Sequence, residues 1–307
     1  MSAPSERPNA DRPNADRPNT ELANAELANA EPTSGASPSR GGTGRAPRPW
    51  LLAESTWREV DATPYEVAVL PWGATEPHNF HLPYSVDVVQ CDAVAAEASG
   101  RAWARGARVV VLPTVPFGVQ TTQLDLKLAL NVNPSTQLAL LADLVAALDG
   151  QGIRKLVLLN GHGGNDFRQM LRELVPRTRV FLCTVNWWQV VDARPYFDEP
   201  GDHAGELETS VMQHVAPHLV RPLGDAGPGA ERRPSVAALR ERWAWTPRPW
   251  SAISADTGVG DPRAATPEKG ARFLDAVCAR LADFLVELAA VETARLYDAR
   301  EGSGGPR

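Results

Sequence analysis

The 307-residue sequence predicts an α/β fold with a mainly parallel central sheet. Two observations predict it. Strand-sized apolar runs alternate with segments of helical spacing from about residue 66 to residue 185, the pattern of βαβ units. In addition, four of the six histidines fall in three short polar clusters that come after apolar runs. Open α/β sheets gather their ligands there, beyond the carboxyl ends of the strands.

Residues 1–49 stand apart from this pattern. They carry an approximate five-residue repeat, from Glu6-Arg7-Pro8-Asn9-Ala10 to Glu26-Leu27-Ala28-Asn29-Ala30, followed by a Gly/Ser/Pro/Arg stretch over 34–49. Proline blocks helix, and almost nothing apolar is present to offset the entropy of ordering, so a disordered low-complexity tail is expected. The domain is expected over 50–295, with 296–307 as a flexible C-terminal tail.

Within the domain, Glu66–Leu70 reads as a buried strand ended by Pro71, and Asp87–Ala104 as an Ala/Val-rich helix. Val109–Leu112 is the second strand, stopped by Pro113. Pro134–Leu148 has proline early and Gly150 at its end, the asymmetry of a helix. Lys155–Leu159 is the third strand, Asp166–Leu174 a helix and Val180–Val185 the fourth strand. A last helix from Pro267 to about Ala290 should pack across the sheet.

Composition narrows the function. A hydrophobic content of 43% supports a sizeable core, and a net charge of −6 argues against nucleic acid as a partner. No apolar run is long enough to span a membrane, and no basic-then-apolar secretory signal follows Met1. Cys91, Cys183 and Cys278 are odd in number and far apart, as in a reducing compartment. A cytoplasmic enzyme is expected.

The first cluster reads Glu76-Pro77-His78-Asn79-Phe80-His81, with Asp87 eleven residues after Glu76. The second is Asn160-Gly161-His162-Gly163-Gly164-Asn165, and the third Asp202-His203-Ala204-Gly205-Glu206-Leu207-Glu208-Thr209. Imidazoles and carboxylates gathered in this way bind divalent metals. Glu76 and His78 share a face in extended backbone. A carboxylate such as Asp87 has two oxygens and can bridge two cations, the arrangement of hydrolytic two-metal sites. On a helix, Glu206 and Glu208 lie about 200° apart, so only one of them joins the site. His203 and Glu208 suit a loop-to-helix entry where both converge. Glu206 has an alternative use at the positive end of the helix dipole. The glycine loop lacks the Lys-Ser/Thr of a phosphate-binding P-loop.

Together, Leu70-Pro71-Trp72-Gly73-Ala74-Thr75-Glu76-Pro77-His78 through His81-Leu82-Pro83 and Asp87, then Asn160–Asn165, then His203–Ser210, resemble the creatininase (creatinine amidohydrolase) family over roughly residues 52–290. The resemblance implies a three-layer α/β/α sandwich, an oligomer that is often a hexamer, and two divalent metal ions per subunit, with Zn as first choice and Mn or Fe as alternatives. Carried over, Glu76 and His162 bind one metal, His78 the other, Asp87 bridges, and His203 shuttles protons. The family's acidic ligand two residues after the second-motif histidine is replaced by Gly164, which leaves Glu208, preferred over Glu206, to complete the second site. The family's glycine after the first-motif histidine is Asn79.

The implied activity is hydrolysis of a non-peptide or cyclic C–N amide bond in a small molecule by a metal-activated hydroxide, with Glu208 or His203 moving the proton. Asn79, Gly163, Trp187 and Trp188 are candidates for substrate contact, with Asn79 otherwise accepting the turn and at least one of the two tryptophans otherwise packing in the core. Gln120–Gln123 and Asn131–Ser135 are polar loop segments near the expected edge, while Trp243-Ala244-Trp245 with Trp250 fits a lid, a subunit interface or packing under the Pro-rich loop. A processing peptidase of the same fold and a metal-stabilised binding or assembly protein are the alternatives.

Overall fold

A computed structural model describes residues 47–297. The expected N-terminal tail lies outside the described residues up to 46, and the C-terminal tail from 298 onward. Residues 47–49 join the domain, since Tyr65 Oη donates to the Pro49 carbonyl at 2.9 Å and Arg48 pairs with Glu54.

The elements in chain order are α1 (Trp57–Asp61), β1 (Val67–Trp72), α2 (Val86–Ala104), β2 (Val109–Val111), α3 (Pro134–Gly150), β3 (Lys155–Asn160), α4 (Arg168–Leu174) and β4 (Phe181–Asn186). They are followed by α5 (Glu206–Val215), α6 (Ala237–Arg240), α7 (Trp250–Ile253) and α8 (Pro267–Ala290). The four strands form one parallel sheet in the order β2-β1-β3-β4, with Val69 opposite Val111 on one side and Val157 on the other.

Strand alternation divides the core into two halves. Val67, Val69, Val157 and Leu159 face α2, α5 and α8, whereas Ala68, Leu70, Trp72, Leu156 and Leu158 face α3 and α4. The result is a three-layer α/β/α sandwich. Every residue of β1 and β3 is buried, the expected state of parallel strands covered on both faces.

Pro71 lies inside β1 rather than ending it. Its carbonyl accepts from Val115 N at 3.1 Å, on the flank where β2 has already stopped. Within a strand the N–H and C=O of one residue point to the same side. The missing donor of Pro71 therefore removes no bond from the β1–β3 ladder.

Helix α8 shows how sequence sets packing. Thr266 caps it by accepting from Lys269 N at 3.3 Å, Pro267 fills the first turn, and Phe273, Val277, Leu281, Leu285 and Leu288 form its buried stripe. Gly270 lets it approach α5, since a Cβ there would lie 2.1 Å from the Ser210 carbonyl oxygen.

From β1 the chain moves outward to β2 and then returns across the sheet to β3. The loops after β1 and β3 part at this switch, which opens a crevice at the strand ends. No described helix is long and apolar enough to cross a membrane.

Candidate metal centre

The crevice is built by close backbone approach. Gly73, leaving β1, packs against the start of α2, where a Cβ would lie 2.8 Å from Val88 N. That contact sets Asp87, in the first turn of α2, beneath the loop that carries Glu76 and His78; Asp87 is 2% exposed. Gly161, leaving β3, would place a Cβ 2.8 Å from the Asp87 carbonyl oxygen. The Asn160 side chain then fixes the turn, accepting from His162 N at 3.1 Å and donating to the His162 carbonyl at 3.0 Å.

Three imidazoles are oriented by one rule. In each, one ring nitrogen donates to a backbone carbonyl: His162 Nε2 to Val119 at 3.0 Å, His78 Nδ1 to Glu76 at 3.0 Å and His203 Nε2 to Pro77 at 2.9 Å. A carbonyl can only accept, so the opposite nitrogen of each neutral ring carries the lone pair. Those nitrogens all turn toward carboxylates. His162 Nδ1 lies 2.8 Å from Glu76 Oε1 and 3.1 Å from Asp87 Oδ2. His78 Nε2 lies 3.1 Å from Asp87 Oδ1 and 3.9 Å from Glu208 Oε2. His203 Nδ1 is 3.8 Å from Glu76 Oε1.

This arrangement fits cations. Glu76, Asp87 and His162 form one set of ligand atoms within 4.8 Å of one another, and His78, Asp87 and Glu208 form a second. Asp87 turns one oxygen to each set, and its Oδ2 accepts no hydrogen bond despite full burial. Lone pairs facing lone pairs without water repel unless a proton or a metal ion sits among them. Where no ion is bound, protons answer that demand. Burial disfavours the charged form of His78, but Asp87, Glu208 and Glu76 outweigh it and raise its pKa to about 9. His162 is likewise pushed well above its ordinary value against burial, by Glu76 and Asp87. Burial opposes charge on Glu76 and Asp87 too, yet the neighbouring histidines hold both below the usual carboxylate range. Burial raises the Glu208 pKa, with His78 and His203 opposing.

The expected site residues divide clearly. Glu76, His78, Asp87, His162, His203 and Glu208 come together. Glu206 points away: it is fully buried, pairs with Lys269 and accepts from Glu199 N at 2.9 Å. Gly163 and Trp188 line a cavity of about 340 Å³ over the centre, together with Thr121, Thr122, Trp245 and Trp250.

Two substrate-contact expectations are corrected. Trp187 is 1% exposed and packs 6.2 Å from Phe273 in the core, in the 3-10 turn that follows β4, where Trp188 meets it edge-on at 6.3 Å and reaches the cavity lining. Asn79 adopts φ 55° and is tied to Gly227, donating to its carbonyl at 3.1 Å and accepting from its N–H at 2.8 Å. It therefore shapes the turn instead of meeting substrate. His81 also supports the loop, with Nε2 2.9 Å from Thr209 Oγ1; burial and His78 push its pKa down to about 4.

Sequence reading missed Gln123, whose amide hydrogen-bonds Glu76 Oε2, and Val119, whose carbonyl fixes the His162 tautomer. It also missed Lys269, sixty-three residues from the Glu206 it neutralises. Only the polar Gln120–Gln123 run signalled the first of these.

The creatininase family profile, described as creatinine amidohydrolase, matches residues 53–285. The chain belongs to the creatininase family. Its relatives include the mycofactocin precursor peptide peptidase of Mycobacterium ulcerans (strain Agy99), 29% identical over 231 residues, which are 72% of this chain and 85% of that protein. The creatinine amidohydrolase of Pseudomonas putida is 26% identical over 266 residues, covering 77% of this chain and 96% of that one. A crystal structure from Bacteroides fragilis NCTC 9343, provisionally assigned as a creatinine amidohydrolase, is 42% identical with a TM-score of 0.76, over 79% of this chain and 97% of that one. Creatininases of the same fold at 24% identity include forms described as Zn–Zn and Mn. In this creatininase-family chain the glycine at 164 has a steric reason. A Cβ there would lie 2.1 Å from the Val119 carbonyl oxygen and 2.5 Å from His162 Nε2, so no carboxylate side chain fits.

Proposed function

We propose that the chain is a metal-dependent amidohydrolase that cleaves a non-peptide or cyclic C–N amide bond at a site for two divalent ions. One observation carries the reading: three buried imidazoles, each locked by a backbone carbonyl, aim their free nitrogens at carboxylates, those of His78 and His162 at the two oxygens of Asp87 and that of His203 at Glu76. Glu76, Asp87 and His162 would hold one ion, and His78, Asp87 and Glu208 the other. When bound, such ions supply Lewis acidity toward the amide carbonyl and make water acidic enough to act near neutral pH. Zn is the first candidate, with Mn or Fe as alternatives.

The protein's own groups supply the rest. Gln123 fixes Glu76 from behind. His203 is held by Pro77 and by Trp250, whose ring centroid is 5.1 Å away edge-on, so that Nδ1 stays free to carry a proton to the leaving nitrogen. The Glu208 carboxylate, oriented by Ala204 N at 2.6 Å, ties the first turn of α5 to His78. Trp188, Trp245 and Trp250 give the cavity apolar walls, and Gly163 leaves its floor open. Metal analysis of the purified protein, followed by an amide and lactam hydrolysis screen with metal replenished, tests the proposal. Turnover that is lost on chelation and restored by metal supports it; bound metal with no turnover across the panel contradicts it.

A second reading, a processing peptidase, draws support from the mycobacterial relatives and from a further cavity adjoining the first. Faster hydrolysis of extended peptides than of cyclic amides would favour it.

A further inference from the structure

A second cavity of about 500 Å³ lies against the first, and the two share Asp202, Trp245, Thr246 and Arg248 as a common wall. Its charge is unlike that of the whole chain. The chain carries a net charge of −6, yet residues 231–248 hold five arginines against two glutamates. Arg233, Arg240, Arg242 and Arg248 line the cavity, and its acidic lining residues are Asp202 and Glu231. Both acids are taken by one arginine, since Arg248 pairs with Asp202 at 2.6 Å and with Glu231 at 2.9 Å.

The other three cavity arginines form no ion pair among the described residues. Arg240 donates to the backbone carbonyls of Pro234 and Ser235, which accept hydrogen bonds but cancel no charge. The side chains of Arg233 and Arg242 have no hydrogen-bond or ion-pair partner among the described residues. Like charges gathered around a concavity raise its potential and draw in anions. At the shared wall the Trp245 indole is 85% exposed, a flat apolar surface for the body of a ligand. A molecule lying across that wall would meet Glu76, Asp87, Glu208 and the histidines at one end, and arginines at the other.

We propose that the second cavity is an anion subsite, and that the amide substrate carries a carboxylate-bearing body seated among Arg233, Arg240 and Arg242. Which bond of that substrate is cut rests on the amidohydrolase reading; the subsite itself requires no turnover.

The test titrates the full-length, metal-replete protein with acetyl-Gly-Asp-Asp amide and with its neutral counterpart acetyl-Gly-Asn-Asn amide, read by tryptophan fluorescence. The acidic peptide is expected to bind about tenfold more tightly at low salt, an advantage that shrinks as ionic strength rises. The double variant Arg233→Gln/Arg242→Gln should lose most of that advantage without changing binding of the neutral peptide. Arg233→Lys/Arg242→Lys should retain it. Equal binding of the two peptides, or an unchanged advantage in the glutamine variant, overturns the proposal. Charge-dependent binding with no amide hydrolysed would end the hydrolase reading and leave the subsite. Hydrolysis with no preference for acidic ligands would do the reverse.

Discussion

Glu206 and Glu208 open the same helix turn two residues apart, and their side chains have separate partners. Glu206 is buried against Lys269, while Glu208 reaches His78. The 200° between such positions was legible in the sequence; the choice depended on Lys269, which only the packing of α8 brings near. Glu206→Gln should therefore lower stability by about 2 kcal/mol, less than for a fully enclosed pair because Lys269 is 21% exposed, and leave metal content unchanged. Glu208→Gln should lower metal content with little change in stability. Denaturant midpoints and metal analysis of the two variants check this, and the reverse pattern would reassign the ligand. Position 164 gives a second prediction. Restoring the family's carboxylate by Gly164→Glu should weaken metal binding and destabilise the fold by about 1–3 kcal/mol, because the new Cβ meets Val119 and His162. A variant with tighter metal binding would contradict this. The convergence of Glu76, His78, Asp87 and His162 was legible because the first three follow β1 within eleven residues of one another and His162 follows β3. Asn79 and Trp187 were misplaced for opposite reasons. The Gly227 partner of Asn79 is 148 residues away, whereas Trp187 and Trp188 share one 3-10 turn just beyond β4, where strand alternation no longer tells which ring turns inward.

At the scale of elements, the four strands and the helices between them follow from apolar periodicity, with boundaries displaced by one or two residues. Pro71 is the instructive miss. Proline usually ends a central strand, but here β2 is only three residues long and leaves that flank of β1 without a ladder beyond Val69. The length of a neighbouring strand cannot be read from the proline's own surroundings. The contact between α5 and α8 was also invisible, because Gly270 looks only like a weak helix residue. Gly270→Ala separates propensity from packing. Alanine favours helix by about 1 kcal/mol, yet its Cβ would overlap the Ser210 carbonyl, so net destabilisation of about 1–2 kcal/mol is expected. Urea unfolding measures it, and a stabilised variant would show that α8 has room to move.

At the scale of the molecule, the switch between β1 and β3 gathers ligands from loops 76 and 162, and α5 closes the ring from the third layer. Burying that many ionisable groups links stability to pH. In the metal-free protein, His78 and His162 bind protons more tightly folded than unfolded, so their stabilising contribution is complete below about pH 6.5. For His78 it is lost as pH rises through about 9. Asp87 and Glu76 act in the opposite direction: their contribution is present above the ordinary carboxylate range and lost as acid protonates them. Chelated protein should thus unfold more easily as pH rises from 6.5 to 9. Metal-loaded protein should show no such decline, since ions replace the protons and bind more tightly as pH rises. Thermal midpoints across that range, with and without metal, make the comparison.

If two cation sites share Asp87, the ratio of bound metal to protein in Asp87→Asn reports it. About two ions per chain are expected in the wild type, about one in His162→Ala and close to none in folded Asp87→Asn. Two ions retained by Asp87→Asn would contradict it.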